Sequence, residues 1–156
     1  MTTHRSLSRG ERQLARSIFG GAIDYDAVTL HNRKWWPFHP RRVVMAPDGD
    51  IWFHPGGGHF CFDFCDATLG ERGLFIHEMT HVWQAQVKGR WYLPVMRHPF
   101  CRYAYDIRPG KAFTRYGIEQ QAEIVRHLML LREGVPVPGK PDRAVYEALV
   151  PFSPIV

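Results

Sequence analysis

The chain has 156 residues, 45% of them hydrophobic and 22% charged, with a formal net charge of +5. That length suits one domain over residues 1–156, large enough to bury about two-thirds of the surface of the unfolded chain. No apolar run is long enough to span a membrane and no apolar leader segment follows Met1. A cytoplasmic protein is therefore expected, although export without a cleavable signal would leave no mark of this kind.

Ser8-Arg9-Gly10-Glu11 has the form of a capping box, and Leu14, Ala15, Ile18 and Phe19 follow at helical spacing until Gly20-Gly21. This predicts a helix over residues 9–19. Ala27 to His31 reads as a strand. Arg33 to Arg42 then alternates basic and aromatic residues around Pro37 and Pro40. Such a segment could serve single-stranded nucleic acid or an anionic membrane surface. Nothing else completes a nucleic-acid module, so nucleic acid is not an expected partner. The expected form is a loop whose tryptophans pack on the core while its arginines stay solvated.

Val43 to Ala46 and Ile51 to His54 flank Pro47-Asp48-Gly49-Asp50, the signature of a β-hairpin. One strand of it, if at a sheet edge beside a site, would be able to hold an extended peptide. His59, Cys61 and Cys65 match no zinc-finger or ribbon spacing. With Cys101 the cysteines number three, which argues against a disulfide framework and fits a reducing compartment.

Phe75-Ile76-His77-Glu78-Met79-Thr80-His81-Val82-Trp83-Gln84 holds the pattern His-Glu-x-x-His. Thr68 with Glu71 caps a predicted helix over residues 71–87. Residues four apart on a helix differ by about 40° in direction, so His77 and His81 project from one face. Two imidazoles so placed suit a tetrahedral zinc ion, with Glu78 beside them to accept a proton from water. Apolar residues cover most of the helix, so these polar groups are buried and need partners.

Two histidines leave a catalytic zinc one protein ligand short. A Gly-x-x-His continuation would place Gly and His where Gln84 and Val87 stand. Gly117 to Glu133 forms another predicted helix, with Glu119 and Glu123 four apart on it. Glu119 is the candidate third ligand. Glu123 is the candidate acceptor for the free ring N–H of a ligating histidine, or else a surface partner of Arg126 or His127. Residues 90–116 between the two helices are irregular and hold Tyr103, Tyr105, Tyr116, His98, Arg102 and Arg115 as candidates to stabilise an oxyanion. A short helix over residues 142–149 closes the pattern.

The segment Phe75 to Gln84, followed by Glu119-Gln120-Gln121-Ala122-Glu123, resembles the gluzincin type of zinc metallopeptidase. From Ser6 to near Glu133 the chain also looks like small bacterial Vgr-related proteins. The resemblance implies a zincin-like α+β fold: a small twisted sheet on a central helix, with a second helix supplying a glutamate. It implies one Zn2+ ion on His77, His81 and Glu119, general-base catalysis by Glu78, a peptide or protein substrate, and an association with a secretion system. A gluzincin usually has Asp where this chain has Glu123. A rival expectation is a non-catalytic zinc-binding adaptor or effector-associated protein on the same scaffold.

Overall fold

The computed structural model describes residues 3–154. Among these, there are five α-helices and a mixed four-stranded sheet, an α+β arrangement.

Strand β1 (His4–Ser6) leads into α1 (Arg9–Phe19) through the predicted capping box: Ser8 accepts from the Glu11 amide, and Glu11 accepts from the Ser8 amide. The Glu11 carboxylate is fully buried. It receives two guanidinium bonds from Arg5 at 2.7 and 2.8 Å and the Phe64 amide at 3.0 Å. One side chain thus ties β1, α1 and the turn that precedes the central helix.

Strand β2 (Thr29–His31) pairs antiparallel with β1 and parallel with β4 (Ile51–Phe53). Strand β3 (Val44–Met45) pairs antiparallel with β4 and lies at the sheet edge. The hairpin turn is the predicted one, with Gly49 at φ +98°, a conformation L side chains rarely adopt. Asp50 joins the parallel strands: its carboxylate accepts from the Thr29 amide and contacts the His31 ring, both at 2.9 Å.

Helix α2 (Leu69–Lys88) starts at the Thr68 cap. Phe75, Ile76, Met79 and Val82 are all buried. Phe53, Phe64 and Phe75 stack in sequence, with ring centroids 5.6 and 5.3 Å apart, and join sheet to helix. Helix α3 (Tyr92–Met96) breaks the segment expected to be irregular. Helix α4 (Ile118–Arg132) packs along α2 more extensively than any other pair of elements described. Gly73 permits this approach, since a Cβ there would stand 3.1 Å from the Arg126 guanidinium. Helix α5 (Arg143–Leu149) packs on α4 through Tyr146.

Besides α3, the structure departs from the sequence reading in three places. β1 was not anticipated, the strand expected from residue 27 begins at Thr29, and the tryptophan loop is more open than expected. Trp36 is 42% and Phe38 77% exposed. Among the described residues no helix is long and apolar enough to cross a membrane.

The Arg5–Glu11 pair supplies a test of the fold. Replacing Glu11 by Ala takes two bonds from the partly buried Arg5 guanidinium, which keeps the Cys61 carbonyl, and leaves the Phe64 amide unpaired, so it should lower unfolding free energy by about 3 kcal/mol in chemical denaturation.

Candidate metal centre

His77 and His81 lie one turn apart on the face of α2 that meets α4. From α4, Glu119 reaches between them: its Oε2 lies 3.2 Å from His77 Nε2 and 3.1 Å from His81 Nε2. One ligand atom from each of the three residues falls within 4.8 Å of the others, and all three residues are buried. The second helix therefore brings Glu119 to the place expected for a third ligand.

The hydrogen bonds behind the cluster set its chemistry. Gln84 donates its amide N–H groups to the Ile118 carbonyl and to Gln121 Oε1, both at 3.0 Å. Gln121 in turn donates to the Tyr116 carbonyl at 2.8 Å. A carbonyl can only accept, so this run of amides has a fixed direction. The Gln84 oxygen must face His81 Nδ1, 2.8 Å away, and must accept from it. His77 Nδ1 lies 2.8 Å from Glu123 Oε1, a carboxylate that also accepts. With both Nδ1 atoms donating, the lone pair of each neutral imidazole sits on Nε2, directed at Glu119.

Three acceptor atoms thus converge with no donor of their own. Such a set calls for a cation, a proton or a metal ion. Glu119 Oε1 is likewise buried without a hydrogen-bond partner; Arg97 Nε stands 3.7 Å from it. Two imidazole nitrogens and a carboxylate, with the outer ring nitrogens already engaged, fit a divalent transition metal.

The electrostatics agree. Burial works against a charge on His77, but the bonds to Glu119 and Glu123 outweigh it and raise its pKa to about 9. Burial would also raise Glu119, yet the two imidazoles hold it well below the usual carboxylate range. Glu123 is lowered too: His77, Arg126 and His127 overcome its burial. It lies 3.5 Å from both Arg126 Nη1 and His127 Nε2, so the contacts of both alternatives foreseen for it are present together. Glu78 is the exception. Its burial raises its pKa, and the neighbouring histidines offset this only in part.

The oxyanion candidates separate cleanly. Tyr103 stacks on the His77 ring with centroids 6.1 Å apart. Tyr105 is buried against His127 and Tyr146, and the Tyr116 hydroxyl accepts from the Arg108 amide, so neither addresses the cluster. His98 and Arg102 line a groove whose lining also includes Glu119. No role at the cluster follows for Arg115. Arg97 and Gln84 were missed. Gln84 stands where a third histidine motif would have its glycine, and its place one turn after His81 was the available signal. His59, Cys61 and Cys65 join no metal-ligating group among the described residues.

An α+β domain with a buried two-histidine, one-glutamate cluster is the class of protein these features define. No protein-family model matches the chain. It is 42% identical, over 81% of its length, to the type VI secretion system spike protein VgrG2b of Pseudomonas aeruginosa. That match spans only 13% of the spike protein. The solved effector domain of Pseudomonas aeruginosa VgrG2b aligns with a TM-score of 0.75 and 36% identity, over 92% of this chain and 80% of that one. The chain belongs to the family of the VgrG2b effector domain.

Metal titration tests the cluster. One tight divalent site is expected, lost in His77→Ala, and Glu123→Gln should weaken it by about 10- to 100-fold without changing the stoichiometry. A wild-type protein that takes up no metal would remove the site.

Proposed function

We propose that the chain is a single zincin-like effector domain, residues 1–156, that hydrolyses peptide or amide bonds with one zinc ion held by His77, His81 and Glu119. The convergence of both Nε2 atoms on Glu119 Oε2, beside a buried Glu78, is the observation that carries this reading. The effector role rests on the family: a solved member is the effector domain of a type VI secretion spike protein. An effector acts after export, so the cytoplasm becomes its place of synthesis rather than of action.

Bound at this site, zinc would supply Lewis acidity and lower the pKa of water toward neutrality. The protein's own groups do the rest. Glu78, whose pKa burial raises, takes a proton from the attacking water and returns it to the leaving amine. Glu123 and Gln84 hold the two imidazoles in the orientation and tautomer the site needs. Arg97, 3.7 Å from Glu119, and Tyr103, stacked on His77, would meet negative charge developing on the carbonyl oxygen. Strand β3 offers its free edge to an extended substrate segment, which would add as a further strand.

A non-catalytic reading, an adaptor or interaction domain on the same scaffold, draws on a different feature. Trp36 and Phe38 stay exposed in the basic segment of residues 33–42, and Arg33, Lys34, Arg41 and Arg42 form no ion pair among the described residues.

Glu78→Gln separates the two. As a hydrolase, the variant should keep its zinc, measured by metal analysis, and lose at least about 100-fold in turnover of a peptide library. Equal cleavage by wild type and variant would take Glu78 out of the chemistry; no cleavage by either, with zinc bound, would favour the adaptor.

A further inference from the structure

An apolar cavity of about 300 Å³ opens directly beside the cluster. Its walls come from four separate parts of the chain: Trp35 and Trp36 of the basic-aromatic loop, Met45 of edge strand β3, Leu93 and Pro94 of α3, and Ile118 at the start of α4. His81, Glu119 and Arg97 form its polar end. Glu119, whose Oε1 is buried without a hydrogen-bond partner, is only 1% exposed.

Size and lining together restrict what fits. A dry apolar cavity of about 150 Å³ is enough for benzene, so this one accepts a phenyl or indole ring with room to spare. A charged side chain would lose its hydration against the apolar walls, which costs several kcal/mol, because the charged groups at the polar end, Arg97 and Glu119, already face each other across 3.7 Å. A small side chain would leave much of the apolar wall uncovered.

The approach to the cavity also has a direction. Val44 on β3 is buried in the core, so the next residue, Met45, lies on the opposite face, and Met45 lines the cavity. A segment added to the β3 edge sends alternate side chains to that same face. That face is the one on which the cavity lies, with His81 and Glu119 in its lining.

We propose that this cavity is the specificity pocket of the domain, and that the substrate is a peptide carrying a large apolar, preferably aromatic, side chain next to the bond that is cut. The basic-aromatic loop thereby gains a role, because its tryptophans form a pocket wall. This inference rests on the hydrolase reading above.

The test uses zinc-loaded protein and a set of succinyl hydroxamates that differ in one substituent: hydrogen, isobutyl, benzyl or carboxymethyl. Dissociation constants are measured by calorimetry. Benzyl and isobutyl should bind at least about ten-fold tighter than hydrogen, and carboxymethyl weaker than hydrogen. In Met45→Lys, which puts a charge in the wall, the ratio of benzyl to hydrogen affinity should collapse toward one. Trp36→Ala, at a half-exposed position that can change without unfolding the domain, should reduce the same ratio. Binding of all four compounds within about two-fold of each other would overturn the pocket while leaving the metal site standing. Failure of even the unsubstituted hydroxamate to bind would overturn the hydrolase reading, and this inference with it.

Discussion

Burying the Glu119 carboxylate between α2 and α4 would cost several kcal/mol if nothing met it. The two imidazoles of α2 meet it, and the rest of the arrangement follows from that encounter. His77 and His81 can face Glu119 only because their outer nitrogens are held by Glu123 and Gln84. Gln84 is itself anchored to the first turn of α4 through the Ile118 carbonyl. The same contacts that dock α4 on α2 thus also orient the cluster. Gly73 keeps the two helices close enough for all of them to form.

Around this pair of helices the other elements build a cleft. The sheet turns an edge strand toward the cluster, and α3 with the tryptophan loop forms an apolar wall opposite. The polar chemistry is therefore confined to one end of an otherwise apolar recess. That division allows a site to hold a substrate by its side chain and act on its backbone. Arg97 stands at the junction of the two, the one guanidinium lining both the recess and the carboxylate.

Much of this was legible from local patterns. The caps at Ser8 and Thr68 and the Asp48-Gly49 turn announce themselves through side chains that bond within three residues. His77 and His81 are fixed by helical periodicity alone. Glu119 was found because a site with two ligands needs a third and its helix offered two acids. What escaped was non-local. Strand β1 is three residues long and owes its existence to Arg5 bonding Glu11 and to pairing with β2, neither of which has a periodic signature. The parallel pairing of β2 with β4 is set across the intervening hairpin strand by Asp50. Gln84 and Arg97 are ordinary polar residues in sequence, and only the docking of α4 gives them roles. The tryptophans were expected to pack on the core from a Pro-broken loop whose arginines stay solvated. Trp36 instead borders a recess that the chain itself leaves unfilled.

The three converging acceptor atoms have a further consequence. In the absence of metal, the bonds to Glu119 and Glu123 favour a proton on His77 against its burial. A metal ion that arrives must displace that proton, so loading is an exchange of one cation for another rather than the filling of a void. The balance of that exchange depends on the acidity of the surroundings as well as on metal supply. Two compartments with equal free metal but different pH would hold different fractions of loaded domain, with no change in the fold that presents the ligands.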